Sequence, residues 1–174
     1  MHIIVRNRGI YDLAIGRMIL IIALSRLSDY CFRVDPMSCY SGSFSIKTSG
    51  RDDIHDITAQ VEKQVSASKI KDGLACVFVA GSTAAITTVE YEPGLVKDLQ
   101  DAMDRLYPKD IGYEHHLRWG DGNGHSHVRA SMIGASLVVP VRNGSLVLGT
   151  WQQIVLLELD IRPRNREIIV QVVG

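Results

Sequence analysis

The chain has 174 residues, which is enough for one domain with a substantial core and too few for two large ones. Its 19 basic and 19 acidic side chains give a formal net charge of zero, which argues against a duplex-binding protein, so we expect no nucleic-acid partner. The apolar run at residues 18–24 is far shorter than the roughly eighteen residues needed to cross a bilayer, so we expect no membrane span. The three cysteines form no CxxC pair, which fits a reducing compartment and predicts a cytoplasmic protein.

The N-terminal part of the chain differs from the rest. Its first forty residues contain five arginines and no lysine. We interpret residues 1–42 as an atypical N-terminal extension and residues 43–174 as the single folded domain. An alternative is that the natural start is Met37 and that residues 1–36 are upstream sequence.

Two helices are predicted from the spacing of apolar residues. Ile54, Ile57, Val61 and Val65 recur every three or four positions, which predicts a helix that begins near Asp52 or Asp53 and ends before Gly73. A second helix is predicted from Pro93 to the residues before Pro108, because proline is favoured in the first turn of a helix.

Seven short segments have the composition of β-strands. They are residues 44–46, 74–80, 85–91, 136–141, 146–151, 154–159 and 168–172. Asn143 and Gly144 lie between two of these segments and predict a tight hairpin. Two main helices and hairpin-connected strands predict an α+β fold with a mostly antiparallel sheet.

The segment 113–127, YEHHLRWGDGNGHSH, holds four of the six histidines and is the strongest functional signal. Imidazole nitrogens bind zinc and related metals, and a carboxylate such as Asp121 can act as a ligand or orient an imidazole. His125 and His127 would point the same way in an extended segment and would diverge on a helix. The alternative is a solvent-facing loop in which the histidines only form hydrogen bonds.

Other candidate groups surround this segment in the sequence. A turn of glycine and hydroxyl residues could bind a phosphate through its amides, with an ordinary strand connection as the alternative. Its candidate residues are Gly81, Ser82, Thr83 and Thr87. Glu90 is a candidate general acid or base, and Arg129 could bind a phosphate or form a surface salt bridge. The charged turn from Asp160 to Arg166 predicts a solvated or intersubunit ion-pair cluster.

Three strings, GSTAAITTVEYEPGL, the histidine-rich segment and GTWQQIVL, resemble the YjbQ family, also called the secondary thiamine-phosphate synthase family. The resemblance covers residues 43–174. It implies a sandwich-like α+β fold, a homotrimer, and a pocket in which histidines hold a divalent metal, with zinc expected and magnesium as the alternative. It also implies a weak ability to make thiamine phosphate.

The resemblance implies His116 and His127 as two of the metal ligands. Members of the family typically carry a further histidine where this chain has Gly81. We therefore expect His125 or His115 to supply the third ligand, and we predict His116, His125 and His127 as the metal-binding set.

Three functions are compatible with these residues. The first is a transferase that joins a pyrimidine diphosphate to a thiazole phosphate, using a metal and the anion-binding groups Arg129 and residues 81–83. The second is metal-assisted hydrolysis of a small phosphorylated molecule, with Glu90 as proton shuttle. The third is a non-catalytic trimer that binds a metal or a metabolite.

Overall fold

The computed structural model describes residues 37–174. The N-terminal features discussed above, including the apolar run at 18–24 and the possible upstream segment 1–36, lie outside the described residues. Eight strands and four helices are present in the described part. In chain order they are β1 (Cys39–Lys47), β2 (Asp53–Asp56), α1 (Thr58–Ser68), β3 (Gly73–Val79), β4 (Ala84–Val89), α2 (Pro93–Leu106), α3 (Glu114–Trp119), α4 (Gly124–Ile133), β5 (Ser136–Arg142), β6 (Ser145–Leu146), β7 (Gln153–Glu158) and β8 (Asn165–Val173).

The strands form two antiparallel sheets. The larger sheet has the order β1-β8-β3-β5-β6, and the smaller has the order β2-β7-β4. β1 pairs with β8 along its whole length, from Cys39 opposite Val173 to Lys47 opposite Asn165. The predicted domain start at Ser43 therefore falls inside β1. The predicted α+β class with mostly antiparallel strands is confirmed.

Two hydrophobic cores lie on either side of β7. Ile154 and Leu156 of β7 belong to the core shared by α1 and the larger sheet, whereas Val155 and Leu157 pack with residues of α2 and α4. Successive residues of a strand point to opposite faces, so a strand covered on both faces must be apolar throughout. This requirement explains the continuous run IVLL at residues 154–157, all of which are buried.

The first predicted helix is shorter than the sequence suggested. Ile54 lies in β2, opposite Leu157 of β7, and α1 begins only at Thr58. The Asp56 carboxylate accepts hydrogen bonds from the amide and the hydroxyl of Thr58, which fixes the helix start four residues after Ile54. The apolar spacing around Ile54 is compatible with a helix or a strand, and pairing with β7 selects the strand.

The second predicted helix is confirmed as α2. Pro93 lies in its first turn, and the Glu92 side chain accepts hydrogen bonds from the amides of Gly94 and Leu95. Two further helices, α3 and α4, form within and just after the histidine-rich segment. The described residues therefore contain four helices and not only the two predicted as the main ones.

The Asn143-Gly144 hairpin is also confirmed, since both residues have positive φ angles and join β5 to β6. The strand predicted over 146–151 is wrong beyond Leu146. A turn closes there, because the Gln152 amide donates to the Gly149 carbonyl and the Gly149 amide donates to the Gln152 side chain. Within residues 37–174, no helix has both the length and the hydropathy needed to span a membrane.

Candidate functional site

The histidine-rich segment folds into two short helices joined by a glycine turn. Gly120 and Gly122 have φ angles of 61° and 67°, a left-handed backbone that glycine adopts without a steric penalty. The amide of Asn123 donates to Asp121 Oδ1 at 3.1 Å. This turn folds the chain back so that α4 lies against α3.

The turn brings His115 of α3 to His127 of α4. Their ring centroids are 4.4 Å apart, with an angle of 34° between the planes. Asp121 Oδ1 lies 3.4 Å from His115 Nδ1, and this buried nitrogen makes no hydrogen bond to any described residue. The structure therefore pairs His127 with His115, whereas the resemblance implied His116 as the residue that shares a metal with His127.

His116 has a different environment. Its Nε2 accepts a hydrogen bond from the amide of Gly124 at 3.2 Å, and its ring lies 5.6 Å from that of Tyr113. Gly124 is the first residue of α4, where backbone amides have no partner within the helix. His116 thus satisfies one of these amides, and its Nε2 lone pair is already used.

His125 is buried, with 3% of its surface exposed, and its Nδ1 makes no hydrogen bond to a described residue. Residues two apart on a helix point in different directions, so His125 and His127 diverge. The extended conformation that would have aligned them is not formed. Burial, and then the nearby charge of Arg129, lowers the pKa of His125, which keeps its ring neutral at neutral pH.

His127 lies at the edge of a cavity. Burial, and then the adjacent His115, lowers its pKa, while Asp121 and Asp160 oppose this shift. A neutral imidazole is the form that accepts a proton or binds a metal. At neutral pH the His127 ring, which faces His115, can therefore accept a proton or bind a metal.

The cavity has a volume of about 230 Å³ and lies between the Gly81–Ser82 turn and the α4 face that carries His127. Two of the predicted phosphate-binding residues and one predicted metal ligand thus line one space. Thr83 is buried next to this turn, with its hydroxyl donating to Asp160 Oδ2 at 3.0 Å. Thr87 lies farther along β4, and Glu90 follows that strand and is exposed; neither lines the cavity.

Arg129 does not lie on the surface. It is fully buried, with Nη1 2.8 Å from Asp52 and Nη2 2.8 Å from Asp104, while Nε and Nη2 also donate to the Tyr107 carbonyl. Lys109 lies 2.6 Å from the same Asp52. Arg129 thus belongs to a buried ion-pair network, instead of making the phosphate contact or the surface salt bridge that the sequence suggested.

A second buried network was missed by the sequence analysis. Glu158 is fully buried, and Asp160 and Arg166 are almost so, whereas Arg162 and Arg164 are exposed. The expectation of a solvated or intersubunit cluster is therefore wrong for Asp160 and Arg166. Burial raises the pKa of Asp160, but hydrogen bonds from the Arg162 amide and the Arg164 and Thr83 side chains outweigh this and lower it overall. The available signal was the position of Glu158 and Asp160 at the end of an uninterrupted apolar strand.

Comparison with known proteins agrees with this architecture. A family profile described as UPF0047 protein YjbQ-like matches residues 42–174. The chain belongs to this family. It is 42% identical over 127 residues to a UPF0047 protein of Archaeoglobus fulgidus, covering 73% of this chain and 96% of that protein. It is 39% identical over 133 residues to the UPF0047 protein YugU of Bacillus subtilis, covering 76% and 98% of the two chains.

Solved structures of the YjbQ-like family share the fold. A YbjQ-like protein of unknown function from Sulfolobus solfataricus superposes with a TM-score of 0.76 at 40% identity, covering 80% of this chain and 99% of that one. A hypothetical protein from Aeropyrum pernix gives a TM-score of 0.73 at 37% identity, covering 78% and 98% of the two chains. The family assignment based on the three sequence strings is confirmed.

The donor set for a metal in this YjbQ-like chain is incomplete. Two imidazoles, His115 and His127, and the Asp121 carboxylate lie close together. Among residues 37–174, however, no three side chains of histidine, cysteine, aspartate or glutamate converge as a metal cluster would require. A structural zinc site has four protein ligands and a catalytic one usually three, so the described side chains do not form a complete zinc site.

Proposed function

We propose that this YjbQ-like protein is an enzyme that acts on a small phosphorylated substrate in the cavity beside His127. The observation that carries this proposal is the ring of His127, which pairs with that of His115 and lines the same cavity as Gly81 and Ser82. The neutral imidazole of His127 beside a polar turn provides a proton acceptor or metal donor next to space for a phosphate group. The transfer reaction of secondary thiamine-phosphate synthases is the activity that the resemblance suggests.

The proposal includes a divalent metal, zinc or magnesium. His115 and His127 would supply two of its ligands, and Asp121 would orient His115. The unpartnered Nδ1 of His115 supports this arrangement, because a buried polar atom without a hydrogen bond is costly unless a ligand satisfies it. When bound, such an ion would supply positive charge next to a leaving phosphate or diphosphate.

The protein's own groups would then have separate roles. The Gly81–Ser82 turn would bind the phosphate beside His127. His125 and His116 would act indirectly, since His125 is buried and His116 is bonded to Gly124. Glu90 and Arg129 have no place in this mechanism, because Glu90 lies away from the cavity and every nitrogen of the Arg129 guanidinium is already paired.

We also propose that the protein is a cytoplasmic homotrimer. Cys39 and Cys76 form no disulfide, which fits a reducing compartment. Several apolar side chains of the larger sheet are exposed on its outer face, including Leu74 and Phe78 of β3 and Val138 of β5. Exposed apolar patches of this kind are typical of protein interfaces, and further copies of this chain are the partner that the resemblance suggests.

The experiment is turnover of a pyrimidine diphosphate with a thiazole phosphate, with zinc or magnesium added, by wild type and variants. We expect thiamine phosphate from the wild type, and its loss in His115→Ala and His127→Ala. His55→Ala is the control, because His55 lies on β2 and contacts Asp53. No product from the wild type, or equal product from His127→Ala, would refute the transferase assignment. Release of inorganic phosphate alone would favour the hydrolase.

A further inference from the structure

Arg166 is a buried arginine whose guanidinium is held in a fixed position. Only 8% of its side chain is exposed. Its Nε donates to Glu158 Oε2 and its Nη2 to Glu158 Oε1, both at 2.6 Å, and Nη2 also donates to the Thr83 hydroxyl at 2.7 Å. A two-point pair of this kind fixes both the position and the plane of a guanidinium.

The remaining nitrogen of this group, Nη1, has no hydrogen-bond partner among residues 37–174. Every bond of the guanidinium to a described residue uses Nε or Nη2. Nη1 therefore has unused capacity for an acceptor.

Gly81 leaves Nη1 uncovered. A Cβ at this position would lie only 2.6 Å from Nη1, and the φ angle of 150° is one that side-chain-bearing residues rarely adopt. Gly81 and Ser82 also line the 230 Å³ cavity with His127. The glycine therefore allows a ligand at this turn to approach a fixed guanidinium nitrogen.

The neighbouring acidic side chains offset the positive charge of Arg166. An anion at Nη1 would therefore be bound by directional hydrogen bonds and not by a net positive potential. Glu158 balances Arg166, and Asp160 is paired with Arg164 at 2.8 Å. Asp160 Oδ2 is 4.0 Å from Arg166 Nη2, so it also reduces the local potential. A ligand oxygen would gain charge-assisted hydrogen bonds from Nη1 without the entropy cost of ordering a mobile arginine.

We propose that Arg166 Nη1 and the Gly81–Ser82 turn form an oxyanion subsite for the phosphate group of the substrate. This inference rests on the proposed function for the identity of the ligand. It transfers to Arg166 the phosphate contact that the sequence suggested for Arg129. Arg166 is a residue that touches substrate in this arrangement, and Glu158 and Thr83 position it.

The test uses the full chain and inorganic phosphate as the probe. In a phosphate titration followed by amide NMR, we expect the signals of Gly81 and Ser82 to shift in the wild type. Gly81→Ala places a Cβ against Nη1, and Arg166→Lys keeps the charge but removes Nη1. Each should weaken phosphate binding by about tenfold or more, the equivalent of one charge-assisted hydrogen bond. Arg142→Lys is the matched control, because Arg142 is exposed at the end of β5.

The wild-type titration decides the question even if both variants fail to fold. Unmoved signals at Gly81 and Ser82, or folded variants that bind phosphate as tightly as the wild type, would overturn the subsite. The subsite and the proposed function can fail separately. Phosphate binding that depends on Arg166, in a protein without turnover, would leave the subsite standing alone. Turnover that needs His127 but has an unchanged KM in Arg166→Lys would refute only the subsite.

Discussion

The imidazole rings of His115 and His127 lie 4.4 Å apart across the turn between α3 and α4. These residues are twelve positions apart in the chain, and each is adjacent or nearly adjacent to another histidine that points elsewhere. The pairing brings together two of the four histidines that the sequence offered as candidate metal ligands. It also places them beside Asp121, the one carboxylate of the connecting turn.

The pairing predicts which histidines control metal content. We expect elemental analysis to show reduced zinc in His115→Ala and in His127→Ala, because each loses half of the imidazole pair. His116→Ala should keep its metal, because the His116 Nε2 accepts a hydrogen bond from Gly124 and is not free to bind an ion. If His116→Ala lost its metal and His115→Ala kept a normal metal content, His116 would be the ligand, as the sequence suggested.

The buried Arg129 predicts a large effect on stability. Replacing it by methionine removes the buried guanidinium that pairs with Asp52, whose side chain is only 4% exposed, and leaves Lys109 as the remaining cation beside Asp52. Breaking a buried ion pair in this way costs roughly 3–5 kcal/mol of the free energy of unfolding. Urea denaturation followed by circular dichroism would measure the loss.

Asp104→Asn is the control for this network. The Asp104 side chain is 49% exposed, so its pair with Arg129 should contribute only about 0–1 kcal/mol. Equal losses for the two variants would contradict the assignment of Arg129 as the buried centre. If Arg129→Met had normal stability but no longer bound substrate, Arg129 would be a substrate-binding residue and not a structural one.

The lowered pKa of His125 predicts that stability falls in weak acid. Burial, then Arg129, keeps the folded-state pKa of His125 below its ordinary value of 6.5. Between those two pKa values the unfolded chain binds more protons than the folded one, so the free energy of unfolding decreases as pH falls. The loss begins as pH drops through about 6.5 and levels off below the folded-state pKa. His127 contributes in the same direction.

Urea midpoints measured between pH 7.5 and pH 5 would show this slope. His125→Asn cannot titrate and should have a shallower slope than the wild type. His55→Asn serves as the comparison, because His55 is half-buried and pairs with Asp53. An identical slope in wild type and His125→Asn would show that protonation of His125 is not linked to folding.

The exposed apolar face of the larger sheet predicts the effect of added charge on assembly. Phe78→Lys and Val138→Lys place charges on the outer surface of β3 and β5. If copies of the chain pack through this face, sedimentation equilibrium should show a trimer for the wild type and a smaller species for both variants, because a lysine buried there would be unpaired. Ala67→Lys on the exposed side of α1 should not change the mass. A monomeric wild type would refute the assembly.

Local sequence patterns determined much of the fold. The Asn143-Gly144 hairpin, the proline-initiated α2 and the strand segments follow from backbone preferences of residues close together in the chain. The family likewise followed from local strings, and the profile match confirms it. Where local preference was ambiguous, as at Ile54, pairing with β7 decided the structure.

Within the site, the sequence determined that histidines, hydroxyls and glycines were available, and only the tertiary structure decided which of them meet. Arg129 reaches Asp52 across 77 residues, and Arg166 reaches Thr83 across 83, so no local spacing could show that one guanidinium is fully paired and the other has a free nitrogen. The direction of each histidine likewise depends on where α4 begins. That helix sets His125 and His127 apart and turns His127 toward His115. The physical reason is that side-chain direction follows backbone conformation, which long-range packing selects.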